Sequence, residues 1–207
     1  MDLQFFGANC IALTYKNARL VIDDNLAELG AKSTTKPEDV GVSTMVYATH
    51  PKSRMIIDMP GEYEVSDISV IGIPARAHMD EPGKQTATMF KVIAGDIRVL
   101  VTGHIYPELT DVQMETIGIV DVLFVPVGGS GYTTDPLGAL KLIKAIEPKL
   151  VVPTHYADSA LAYPVPQTDL GSALKDIAME PKERVSKLRL KPIDLSEITQ
   201  LVILEKS

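Results

Sequence analysis

With 207 residues, 45% of them hydrophobic, the chain has material for one large domain with a sizeable core. Its formal charge of -7, from 20 basic and 27 acidic residues, sets net repulsion against a polyanion, and no basic patch offsets it, which argues against a nucleic-acid partner. The single cysteine, Cys10, excludes an internal disulfide and any Cys-rich zinc module, so a metal would have to be held by His, Asp or Glu.

The opening MDLQFFGANCIALTY lacks a cationic leader before an apolar run, and no apolar stretch approaches membrane-spanning length. The expectation is a soluble cytoplasmic protein with no membrane partner. Short β-type segments at 3–6, 10–15 and 19–22 are punctuated by turn residues and predict a hairpin or meander. Asp23 closes the third. Residues 26–42 are polar and mixed and predict an irregular connection, after which the apolar run TMVYA at 44–48 predicts a buried strand ending at His50. Residues 54–59 and 62–65 flank the turn-forming Pro60-Gly61, and the alternation at 68–75 runs into His78. A hairpin across 88–93 and 97–102 then leads to His104. Thr110 or Asp111 caps a helix that stops near Gly118.

The stretch from 119 to 156 reads as buried strand (DVLFVPVGG), helix (PLGALKLIKAIEP) and second buried strand (KLVVPTHY), with His155 where that strand ends. Residues 157–166 form a Pro-rich loop, 169–179 a short helix stopped by Pro181, and 185–190 and 200–204 two last strands. Strands first, then helices alternating with strands, predict two sheets with helices packed outside them.

Every histidine, His50, His78, His104 and His155, thus follows an apolar run. Strand ends on one edge of a sheet can converge, and neutral imidazole ligates zinc, iron and nickel. The bland alternative is that polar residues simply end strands. Among the other candidates, Cys10 has no basic neighbour in sequence to make it a nucleophile, and Met55, Met59 and Met89 read as core filling. Tyr132 lines a site rim or caps the following helix.

Several motifs in order and spacing carry a family resemblance: FFGANCIAL then LVIDD, ATHP, MPGEYEVSDISVIGIPARAH, LVTGH then ELTDVQ, and DVLFVPVGG with IEPKLVVPTHY. The chain resembles the metallo-β-lactamase-fold superfamily over almost its whole length, in particular small bacterial members similar to the L-ascorbate-6-phosphate lactonase-like branch. The resemblance implies an α/β fold, a four-layer αββα sandwich formed as one domain over 1–207, with a metal site between the sheets at one edge. In that family a Thr-His-x-His-x-Asp-His motif, a later His, a bridging Asp and a final His hold two metals. Here His50, His78 and His155 match the first, later and final His. Lys52, Arg54 and Met55 stand at the second His, the Asp and the last His of the motif, and His104 stands at the bridging Asp.

Lys and Arg cannot ligate as the lost residues would, and one imidazole nitrogen cannot bridge two metals. The degenerate motif therefore predicts one divalent metal on His50, His78, His104 and His155, with zinc first and manganese, iron or nickel as alternatives, or no metal in a relic site. His155 doubles as a proton-transfer group if it is not a ligand. Lys52, Arg54 and Tyr156 are the candidate substrate contacts, and Asp23 is a candidate for orienting a ligand histidine or merely ending a strand. The implied activity is hydrolysis of a small anionic ester, lactone or phosphoester, and the rival reading is an inactive binding or scaffold module. Self-association stays open at this level.

Overall fold

Alternation sets the first sheet. In the computed structural model, which describes residues 1–207, strand β1 (Asp2–Gly7) turns Leu3 and Phe5 inward and leaves the residues between them half-buried. It pairs antiparallel with β2 (Cys10–Tyr15), which pairs antiparallel with β3 (Ala18–Ile22). Two short strands, β4 (Val40–Val42) and β5 (Met55–Ile57), continue the sheet in parallel.

The second sheet begins with an antiparallel meander of β6 (Gly61–Val65), β7 (Ile68–Ala75), β8 (Ala87–Ala94) and β9 (Ile97–Val101). Helix α1 (Asp111–Ile117) then leads to β10 (Val122–Pro126), and helix α2 (Pro136–Ile146) to β11 (Leu150–Thr154). Helix α3 (Leu170–Ile177), β12 (Pro181–Val185), β13 (Leu188–Arg189), a 3-10 turn at Pro192–Asp194 and β14 (Gln200–Leu204) complete the chain. Strand order is β13-β1-β2-β3-β4-β5 in one sheet and β12-β14-β11-β10-β9-β8-β7-β6 in the other.

Both β10 and β11 are buried at every position, as strands covered on both faces must be. Their inward side chains, with Phe90 and Phe124, fill the space between the sheets, and each buried phenylalanine contributes about 2 kcal/mol. The outward residues of the second sheet meet α2 and α3 through Leu142, Ile143, Leu174 and Ile177. The outer face of the first sheet is covered without a helix, by Leu26, Leu29 and Leu161 against Cys10, Ala12 and Val21. No helix is long and apolar enough to cross a membrane.

Helix ends follow their chemistry. Thr110 and Gln113 form a capping box on α1, and Asp135 accepts from Gly138 N at 2.7 Å on α2, with Pro136 in the first turn. Asp169 caps α3 through Ser172 N at 3.0 Å.

Two expected strands are corrected. Residues 44–48 form no strand: Asp23 captures the Thr44 backbone N–H at 2.7 Å and its hydroxyl at 2.6 Å, which takes the chain off the ladder, and Val46 is 84% exposed. The expected strand at 185–190 is two strands in different sheets, with Ser186 and Lys187 crossing between them. Pro181, expected only to stop a helix, begins β12.

Candidate functional site

Three of the four histidines reach one edge of the second sheet because of register. Strands β10 and β11 run parallel with Pro126 opposite Thr154, so Val127-Gly128-Gly129 and His155 leave the sheet side by side. Strand β9 is parallel to β10 and delivers Thr102-Gly103-His104 to the same edge. Past the end of β7, Ala77 bridges Ile105, and the His78 N–H donates to the His104 carbonyl at 2.7 Å. This is the edge at which sheets with parallel strands carry their sites.

His104 and His155 are each 3% exposed, with ring centroids 4.7 Å apart and planes nearly perpendicular. The Tyr132 ring stands 5.0 Å from His104, and the Tyr163 ring 5.0 Å from His155. Burial pushes the His155 imidazole down to about 4 and holds His104 well below the usual histidine range, where His155 and His78 add to the effect. Burial lowers His78 as well, against the opposing Ile105 carbonyl. All three rings are therefore neutral near pH 7, the form in which imidazole ligates a metal or accepts a proton.

The tautomer of His155 is fixed by its neighbour. The Gln167 amide donates through Nε2 to the Val165 carbonyl at 2.9 Å, which turns its Oε1 toward His155 Nδ1 at 3.0 Å. An amide oxygen can only accept, so Nδ1 carries the proton and Nε2 carries the free lone pair. His155 holds a left-handed backbone, with φ of 51°, and its N–H donates to the Ala8 carbonyl at 2.7 Å. Nδ1 of His104 and Nδ1 of His78 are buried without any hydrogen-bond partner. An orphaned buried nitrogen costs about 1–3 kcal/mol, so each is a position where a hydrogen-bond donor or a cation would stabilise the protein.

The remaining expected residues lie elsewhere. His50 is exposed on the irregular stretch before β5, with Nδ1 3.3 Å from Ser43 Oγ, and no three His, Cys, Asp or Glu side chains converge on one point. The expected four-histidine set is therefore not assembled, because the strand that would have delivered His50 does not form. Lys52 and Arg54 are exposed, and neither side chain bonds to the histidine cluster. Tyr156 packs against Phe5 at 5.7 Å rather than against the histidines, and burial raises its phenol to about 12.

Asp23 contacts no histidine. It is fully buried with φ of 53°, and its hydrogen bonds go to Thr44 N and Oγ1. Gly103, two residues beyond β9 at φ of 61°, sits so close to Thr44 that a Cβ there would overlap the threonine hydroxyl. Asp23 thus fixes Thr44, and Thr44 fixes the path of the chain just before His104.

Two residues at the cluster were missed by sequence reading, Gln167 and Tyr163. Tyr163 belongs to the Pro-rich loop and Gln167 directly follows it, and this segment folds back over the edge: Thr168 N donates to the Gly128 carbonyl at 2.8 Å and Ala162 N to the Leu29 carbonyl at 2.9 Å. The available signal was the pair of prolines at 164 and 166, which hold Gln167 on a stiff segment.

For the metal implied by the family resemblance the residues offer an incomplete donor set: His104 and His155 pair ring to ring, His78 is tied to His104 through its backbone, and no three donors converge. Neutral imidazoles, with the tautomer fixed at His155 and unpartnered Nδ1 atoms at His78 and His104, are the donor type by which a histidine-held cation is bound.

A model of the β-lactamase superfamily domain matches residues 2–155. Among solved structures, a metallo-β-lactamase superfamily protein from Thermotoga maritima, described as a candidate zinc-dependent hydrolase, superposes with a TM-score of 0.75 at 26% identity, covering 99% of this chain and 98% of that one. A metallo hydrolase from Ignicoccus hospitalis superposes at 0.65 with 17% identity, over 99% and 95% of the two chains. The metallo-β-lactamase fold protein YhfI from Bacillus subtilis does so at 0.59 with 10% identity, over 100% and 97%. No curated protein matches the chain in sequence. The family match over three quarters of the chain, with the two-sheet sandwich and the shared edge, shows that this chain belongs to the β-lactamase superfamily and has the metallo-β-lactamase fold.

Proposed function

We propose that the chain is a metal-dependent hydrolase holding one divalent cation on His78, His104 and His155, with zinc the first candidate and manganese, iron or nickel the alternatives. The observation that supports this reading is the His104–His155 ring pair, with centroids 4.7 Å apart, together with the buried, unpartnered Nδ1 atoms of His104 and His78 and the free Nε2 of His155. His50 has no part in it.

When bound, such a cation would polarise a carbonyl or phosphoryl oxygen and lower the pKa of a bound water toward about 7. The chain's own residues do the rest. Gln167 holds the His155 proton on Nδ1, so that Nε2 is the atom that ligates or, left free, accepts a proton. Tyr132 and Tyr163 wall the two buried histidines, and burial raises both phenols, so each keeps its proton; Tyr163 donates its own to the Tyr156 carbonyl at 3.1 Å, which leaves Tyr132 as the hydroxyl donor. No cationic side chain bonds to the cluster. The anionic ester, lactone or phosphoester suggested by the sequence would then be held by the cation itself.

A second reading, a non-catalytic binding module that keeps the fold, is favoured by the absence of three convergent donors and by the outward position of His50. The two are separated by assaying p-nitrophenyl acetate, a simple lactone and bis(p-nitrophenyl) phosphate with zinc or manganese added, before and after chelation. Turnover that disappears with chelation and with His104→Ala supports the hydrolase. Turnover of none of the three with any added metal supports the module.

A further inference from the structure

Both sheets end on the same side of the molecule. Strand β5 is the last of the six-stranded sheet and β6 the last of the eight-stranded sheet, with only Asp58, Met59 and Pro60 between them. Free sheet edges are templates for pairing, and proteins blunt them with charges. Three of the four terminal strands are blunted in this way. Strand β12 carries Lys182, Glu183 and Arg184, β6 carries Glu62 and Glu64, and β13 is two residues long and includes Arg189. Strand β5 is the exception: its sequence is Met-Ile-Ile, and Met55 and Ile56 are each 41% exposed. Met59, just beyond it, is 63% exposed.

The flanking charges are arranged about that strand. Arg54 precedes it and Asp58 follows it, both exposed, and neither side chain enters an ion pair or hydrogen bond within the chain. The two are equidistant from Ile56. If β5 pairs antiparallel with β5 of another copy across a two-fold axis at Ile56, Arg54 of each copy falls opposite Asp58 of the other, and Met55 opposite Ile57. Parallel pairing in register would instead set Arg54 against Arg54 and Asp58 against Asp58. The charge pattern thus favours the antiparallel pairing, whose two-fold axis makes the contact isologous and closed.

We propose that the β5 edge is a self-association surface whose occupant is a second copy of this chain, joining the two six-stranded sheets into one continuous sheet through β5. Arg54 and Asp58 are the paired charges that close this edge.

The test is light scattering after size exclusion on the full chain across a concentration series, with circular dichroism melts as the folding control. The expected mass is twice 22.5 kDa. Arg54→Asp, which sets two carboxylates against each other, should weaken the dimer by at least about tenfold. The exchange Arg54→Asp with Asp58→Arg should restore it, because the opposite charges face each other again. A mass of 22.5 kDa at every concentration would overturn the proposal. So would a dimer indifferent to Arg54→Asp, or a charge exchange that fails to restore association.

Discussion

Gly128 and Gln167 are packed so closely that a Cβ on the glycine would overlap both the Gln167 amide oxygen and the His155 carbonyl oxygen. A side chain at 128 cannot coexist with the amide that fixes the His155 tautomer. Gly128→Ala should therefore destabilise the protein by about 2 kcal/mol, the usual scale for overpacking a buried site. Urea denaturation measures this, and a loss under about 0.5 kcal/mol, the range of ordinary surface changes, would show that the loop yields freely.

Gln167→Ala tests the same contact from the other side. Removing the acceptor leaves His155 Nδ1–H unpaired, so the ring should lose its single tautomer, with a stability cost of about 1 kcal/mol. Nitrogen-15 NMR of the imidazole reads the tautomer directly. The native chain should show Nδ1 protonated and the variant a mixture.

Asp23 gives the pH prediction. Burial raises its carboxyl from 3.8 to about 6, against the opposing hydrogen bonds from Thr44. Between those two values the folded chain keeps a proton that the unfolded chain releases, so this group's contribution is complete below pH 4 and is lost as pH rises through about 6. The size is about 3 kcal/mol, from roughly two pH units at 1.36 kcal/mol each. The lowered buried histidines act with the opposite sign, since they favour folding as pH rises. Asp23→Asn, which keeps the shape and can still bond Thr44, should therefore make metal-free protein lose stability more steeply on acidification between pH 6 and 4. An unchanged slope in chemical denaturation across that window would show that Asp23 is ionised throughout.

Where local pattern and tertiary pairing agree, the chain was legible before folding. The alternation at 68–75 coincides with β7, and the strand, helix and strand from 119 to 156 became β10, α2 and β11, because buried parallel strands leave continuous apolar runs. The failures have specific causes. TMVYA reads as a strand until a buried Asp23, far away in sequence, captures the Thr44 backbone. Residues 185–190 read as one strand because nothing local reveals that Ser186 and Lys187 pass between two sheets. Three histidines share an edge, as expected from strand ends, yet His50 does not join them. Gln167 was invisible because its role depends on a loop folding back onto Gly128, a contact without sequence period.

Elemental analysis of untagged protein purified without chelator decides whether one metal sits on His78, His104 and His155 without His50. One divalent metal per chain is expected, retained in His50→Ala and lost in His104→Ala. Native protein without metal, or metal lost in His50→Ala but retained in His104→Ala, would contradict this.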